Sequence, residues 1–230
     1  MRLRHPLPLL TREVPPLELR LGDSCLLLQD LHAPFADPEQ GWLARRARAK
    51  VLGAEFSEYF RAVRELAPNV VKLLAAARGA GLTVLYSCFG FRPPVSPSPL
   101  QAALGWEWDL SGPEGRFPPA LEPVAGEGVY PRPGWGALSE PGLARFLQER
   151  SIRSVVLVGT LLDFGLRHSC WQLADQGVGS LVVSDAVAPL TLAGEACTHG
   201  NLACGLTKFR TTAELLDLLP PLAVGGVVRI

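Results

Sequence analysis

The strongest constraint on this chain is a rhythm. Short runs dominated by consecutive apolar residues, at positions 24–30, 82–88, 154–159 and 179–185, alternate with longer segments of helical character. A strand that is apolar on both of its alternating faces belongs inside a sheet covered on both sides, which is the habit of parallel sheets. Residues 128–131 read as a further short strand. Residues 42–64, 69–78, 141–150, 164–176, 191–204 and 212–219 read as helices, the second of them stopped by Gly79 and Gly81. Strands that alternate with helices need βαβ crossovers. The predicted fold is therefore α/β: three-layer, a mostly parallel doubly wound sheet of about six strands with helices on both faces. Neither an internal repeat nor a shift in composition divides the chain, so residues 1–230 are expected to form a single domain, with 1–20 as an N-terminal arm.

One stretch breaks the rhythm. Residues 89–127 are rich in Pro and Gly and carry Trp106, Trp108 and Phe117. A long insertion without predicted elements inside a compact domain is expected to serve as a lid or an interface arm.

Charge and cysteine usage narrow the function classes. Lys and Arg number 22 and Asp and Glu 22. This balance supplies no basic field, so no nucleic acid and no membrane is expected among the partners. The apolar runs are far shorter than the roughly 20 residues of a spanning helix, and Pro6 and Pro8 interrupt a start that would otherwise suggest a signal peptide. The five cysteines, Cys25, Cys88, Cys170, Cys197 and Cys204, are odd in number and contain no C-x-x-C pair. That pattern argues against a disulfide framework and a thiolate zinc site, and it favours a reducing, cytoplasmic location.

Ligands of such a sheet bind beyond the carboxyl ends of its strands. The residues there are Asp30 and His32, 87–92, 130–135, 159–165 and Asp185. Three of these segments resemble the isochorismatase-like family of cysteine hydrolases over roughly residues 20–220. Leu26-Leu27-Leu28-Gln29-Asp30, with Phe35 five residues on, is similar to the family's apolar strand ending in a catalytic aspartate. Tyr130-Pro131-Arg132-Pro133-Gly134-Trp135 stands where the family has a lysine and a turn of small and aromatic residues. Gly159-Thr160-Leu161-Leu162-Asp163-Phe164-Gly165 stands where the family has a turn, usually with a cis peptide, and a nucleophilic cysteine opening a helix. Residues 182–186 and 211–216 match the family's last helical crossover. The resemblance implies a small-molecule substrate and a homodimer or homotetramer.

The departures carry the chemistry. Asp30 is kept, but the lysine position holds Arg132 and the cysteine position holds Gly165. Glycine has no thiolate, so the family's acyl-enzyme route cannot start from residue 165. Cys170 is on another face of the same predicted helix. Cys88 ends the strand beside that of Asp30; it is either a relocated nucleophile or, more simply, a small buried hydrophobe. Isochorismatases proper, the resemblance implies, protonate a vinyl ether through the aspartic acid and do without the thiol. An apolar strand end favours the protonated carboxyl such a step needs, and a guanidinium opposes it.

Two readings follow. In the first, favoured slightly by the intact Asp30, the chain is a thiol-independent hydrolase of a small carboxylate-bearing substrate. Asp30 is then general acid/base, and Arg132 is a bidentate carboxylate clamp. Gly165 lets ligand approach backbone amides of Phe164, Gly165 and Leu166 beyond an Asp163 N-cap, unless it serves only helix packing. His32, Cys88, Trp135, Leu161, Leu162 and Phe164 line the substrate side, with His32 orienting Asp30 or acting structurally. In the second, the chain has lost catalysis and keeps the cleft for ligand binding or assembly. The scattered histidines His5, His32, His168 and His199 lack the family's metal-binding cluster, so no metal and no cofactor is expected.

Overall fold

The structure, a computed structural model, describes residues 16–39, 41–50, 54–202 and 207–230. Eight strands occur among them: β1 (Glu18–Leu19), β2 (Ser24–Gln29), β3 (Thr83–Phe89), β4 (Gly128–Arg132), β5 (Ser154–Thr160), β6 (Gly179–Ala188), β7 (Thr207–Arg210) and β8 (Val228–Arg229). The helices are α1 (Ala33–Ala36), α2 (Trp42–Lys50), α3 (Ala54–Ala80), α4 (Pro99–Leu104), α5 (Pro141–Glu149), α6 (Arg167–Asp175), α7 (Leu192–Leu202) and α8 (Thr212–Ala223). Six strands form one parallel sheet in the order β4-β3-β2-β5-β6-β7.

Side-chain alternation along the central strands divides the core into two layers. Leu26 and Leu28 of β2 and Val156 and Val158 of β5 face α3 and α8, whose Val70, Leu73, Leu215 and Leu219 are buried against them. Cys25 and Leu27, with Val155 and Leu157, face Leu143 and Leu147 of α5 and Cys170 and Leu173 of α6. The chain leaves β2 for β3 and β4, then returns to β5 on the other side of β2. The switch point between β2 and β5 is where a doubly wound sheet opens a crevice, and Asp30 follows β2 there.

One expectation changes. The two helices predicted over 42–64 and 69–78 are instead α2 and a 27-residue α3 that runs through Pro68. Buried Val63, Leu66, Val70, Leu73 and Leu74 fasten that helix to the sheet on both sides of the proline, and this packing outweighs the loss of one backbone hydrogen bond. Gly81, at φ +76, ends it as expected. The insertion over 89–127 contains α4 and two 3-10 turns and packs as a strap across the strand ends. Most of the N-terminal arm lies outside the described residues, but β1 pairs antiparallel with β8 and ties residues near the two ends together.

Candidate functional site

The strand ends build a closed polar cluster. Asp30 adopts φ +56 directly after β2. Its N–H donates to the Ser87 carbonyl at 3.0 Å, and its own carbonyl accepts from Thr160 Oγ1 at 2.8 Å. This ties the carboxylate's backbone to β3 and β5. Gly159, at φ +139, lets β5 pass the Gln29 carbonyl so closely that a Cβ would lie 1.9 Å from it.

Arg132 ends β4 and reaches across β3 to Asp30. Nη1 donates to Asp30 Oδ1 at 2.9 Å and Nη2 donates to Oδ2, a two-pronged ion pair. Nη1 also donates to the Ser87 carbonyl at 3.1 Å, and Nε to the Trp135 carbonyl at 3.1 Å. The Phe89 N–H completes the shell of Asp30 Oδ1 at 2.9 Å. Both side chains are fully buried, at 0% exposure. Arg132 is thus spent inside the protein, where the sequence reading had it as a clamp for a substrate carboxylate. A second anion would have to displace Asp30 from it.

Gly165 lies against this pair. A Cβ at position 165 would come within 2.9 Å of Gln29 Nε2, 3.0 Å of the Trp135 carbonyl and 3.1 Å of Arg132 Nη2. The space that a side chain would take is filled by the guanidinium and by Gln29. The turn before it differs from expectation. Leu161 is at φ +55 and opens a π-helical turn over Leu162–Leu166, and the cis peptide bond found among the described residues is Pro93–Pro94. The Phe164 and Leu166 amides both donate to the Leu161 carbonyl, at 3.0 and 3.2 Å, so they are not the free donors of an anion site. Asp163 does not cap this turn; its carboxylate accepts from the Leu190 N–H at 2.8 Å and the Thr191 N–H at 3.3 Å. Leu161 and Leu162 are buried in opposite core layers. Phe164 is 45% exposed, on the outside of the turn, with its ring against Trp135.

His32 is buried beside the pair. Its Nε2 lies 3.1 Å from the Phe89 carbonyl, an acceptor only, so Nε2 carries the proton. Nδ1 is then a bare acceptor without a hydrogen-bond partner, 4.0 Å from Asp30 Oδ1. Burial, reinforced by Arg132 and opposed by Asp30 and the Phe89 carbonyl, lowers its pKa to about 4. The ring is neutral near pH 7. Burial above all, and then the Asp30 charge, pushes the Cys88 thiol far above its ordinary range; it packs in the apolar layer as a thiol. Cys170 is raised to about 12 by burial in the other layer. Neither supplies a thiolate at neutral pH.

The strap seals the cluster with aromatic rings. Trp106 and Trp108 stack on each other, with centroids 5.4 Å apart. Trp108 meets His32 and Phe35 edge-on, and Trp135 stacks on Phe89 at 5.5 Å. The tryptophans of the insertion thus cover the strand-end cluster. Two further participants escaped the sequence reading. Gln29, whose Oε1 accepts from Ser169 Oγ at 2.7 Å, leaves Nε2 without a partner. Ser169 also accepts from the Ala137 N–H at 2.8 Å. A strand glutamine and a helix serine carry no motif of their own. Asp185 is structural: Oδ1 accepts from the Thr212 N–H and Oγ1, at 2.7 and 2.8 Å, and docks α8.

The motifs led us to expect a strand-end aspartate, a basic residue from β4 and a turn after β5 in one place, and the structure brings them together, with the aspartate and the arginine paired to each other. The isochorismatase domain model matches residues 24–214. The chain belongs to the isochorismatase family. Within solved structures, a cysteine hydrolase from Pseudomonas syringae pv. phaseolicola superposes with a TM-score of 0.73 at 15% identity, over 89% of this chain and 95% of that one. The N-carbamoylsarcosine amidase of Thermoplasma acidophilum gives 0.64 at 17%, over 83% and 96%. The pyrazinamidase/nicotinamidase of Streptococcus mutans gives 0.66 at 16%, over 82% and 100%. These likenesses establish a shared three-layer α/β fold. A search of curated proteins finds no match. At the strand ends of this chain a buried ion pair and a glycine meet. Among the described residues no group of three or more His, Cys, Asp or Glu side chains is placed to hold a metal ion, and no helix is long and apolar enough to cross a membrane.

Proposed function

We propose that this isochorismatase-family chain is a binding protein whose strand-end site no longer runs cysteine-hydrolase chemistry, with Asp30 and Arg132 acting as a structural pin. The observation that carries this reading is the two-pronged Asp30–Arg132 pair with neither side chain exposed. Arg132 has every prong of its guanidinium on an internal acceptor. Position 165 has no nucleophile, and the two cysteines considered as replacements, Cys88 and Cys170, are held as thiols. Breaking a buried pair by removing one partner costs about 3–5 kcal/mol, and a substrate that displaced Asp30 would meet a cost of that kind before any chemistry.

One observation favours the second reading, a thiol-independent hydrolase of a small carboxylate-bearing molecule with Asp30 as general acid/base. Gln29 Nε2, against position 165, is an unused donor, and His32 Nδ1, 4.0 Å from Asp30 Oδ1, is an unused acceptor. A panel of amides, ureides and vinyl ethers, assayed with wild type and Asp30→Asn, separates the two. The expected result is no turnover above the protein-free rate. Turnover that Asp30→Asn abolishes, in a variant that still folds, overturns the first reading in favour of the second. With the binding reading goes a cytoplasmic homodimer or homotetramer. Phe164 and Trp171, 45% and 39% exposed, lie on one face with His168 and support self-association there.

A further inference from the structure

A cavity of about 650 Å³ lies apart from the strand-end cluster, between α1, α3 and the 3-10 turns of the strap. Asp30, Arg132 and Gly165 are not among its lining residues. Its floor is apolar: Leu31, Val63, Leu66, Val71, Phe117 and Leu121. Its size falls within the range of small-molecule sites. The wall toward Asp30 is made by Phe117, whose ring lies 6.4 Å from that of His32.

The charged lining sets the class of ligand. Arg45, Arg64 and Arg116 face Asp37 and Glu114. Arg45 lies 3.7 Å from Glu114, and Asp37 Oδ1 accepts from the Glu39 N–H at 2.8 Å. Neither Arg64 nor Arg116 has a side-chain hydrogen bond or ion pair among the described residues, and both are exposed at the cavity's edge. An apolar floor under two unengaged guanidiniums matches an anion with an apolar body.

We infer that this cavity binds an amphipathic carboxylate, its hydrocarbon portion against Leu31, Val63, Leu66 and Phe117 and its carboxylate between Arg64 and Arg116. The site is independent of the strand-end reading, since it shares neither Asp30 nor Arg132.

The probe is decanoate, with decylammonium as the matched cation, titrated calorimetrically into the full chain. Saturable one-to-one binding of decanoate is expected, with decylammonium at least about tenfold weaker. Arg64→Gln/Arg116→Gln is expected to weaken decanoate by about tenfold or more. Ala67→Phe, which projects a ring from α3 into the cavity, is expected to abolish binding; Leu121→Trp fills the same space from the strap should the first variant fail to fold. Absence of saturable binding, equal affinity for the two headgroups, or affinity unchanged in folded cavity-filling variants overturns the proposal.

Discussion

At the scale of single residues, the interior of this protein holds a charge pair and a histidine that must stay uncharged beside it. His32 donates through Nε2 to the Phe89 carbonyl, and its Nδ1 has no donor to accept from. Its pKa of about 4 lies below that of an exposed histidine because burial penalises the imidazolium. The unfolded chain therefore binds a proton that the folded chain refuses as pH falls through about 6.5, the ordinary histidine value. The stability due to the neutral ring is complete above that value and is lost progressively toward pH 4, a loss of roughly 3 kcal/mol over the whole window. Urea unfolding of wild type and His32→Asn at pH 7 and pH 4.5 checks this. Wild type should lose roughly 2–3 kcal/mol more than the variant between the two, and equal losses would show that the histidine is not the group responsible. The same scale explains the pairing of Arg132 with Gly165. Gln29 Nε2, the Trp135 carbonyl and the guanidinium crowd the place where a residue-165 side chain would begin, so a glycine there and an arginine at 132 fit each other sterically.

At the scale of elements, the strap converts an open strand-end crevice into a sealed one. Helix α4 is only six residues long, yet it carries a complete capping box: Ser98 Oγ accepts from the Gln101 N–H at 3.2 Å, and Gln101 Oε1 accepts from the Ser98 N–H at 2.7 Å. Ser98 Oγ also donates to the Pro133 carbonyl, and Gln101 Nε2 donates to the Arg132 carbonyl at 3.2 Å. One turn of helix is thus riveted to the end of β4, next to the ion pair. Gln101→Ala removes half of the box and leaves the Arg132 carbonyl with the Gly90 N–H, at 3.2 Å, as its remaining donor. It should cost about 1–3 kcal/mol and open new protease cleavage sites within 90–127 while cleavage elsewhere stays slow. Uniform cleavage along the chain would contradict a strap that opens locally. This seal was not readable from the sequence. Pro and Gly in 89–127 signalled a loop, but its contacts are with residues far away in the chain, and no local pattern encodes them. The strands were readable because their burial is written in consecutive apolar residues. The short β7 was not, since Thr207, Lys208 and Arg210 give it no such run.

At the scale of the whole molecule, the alternation that exposed the fold in the sequence also predicts how it unfolds. Neighbouring residues of one strand serve different layers: Leu26 and Leu28 belong to the layer under α3 and α8, Cys25 and Leu27 to the layer under α5 and α6. Neither layer can be dismantled without stripping one face of β2 and β5, and a central strand left bare on one face exposes a row of large apolar side chains to water. The strand-end cluster adds a second coupling, because Asp30, Ser87, Arg132 and Thr160 tie the ends of β2, β3, β4 and β5 into one hydrogen-bonded unit. The aspartate and the arginine were legible as a motif, but their closure into a buried pair was not, since it depends on the reach of one side chain across β3. Both couplings argue for one cooperative unit rather than two. The tryptophans report on both sides of the sheet: Trp106 and Trp108 sit in the strap, and Trp171 is on α6. Thermal unfolding followed by tryptophan fluorescence and by far-ultraviolet circular dichroism should therefore give coincident transitions, in wild type and in a Trp171→Phe variant that reports from the strap side alone. A strap-side fluorescence transition well below the loss of secondary structure would mean that the layer under α3 melts first, and the single-domain reading would fall with it.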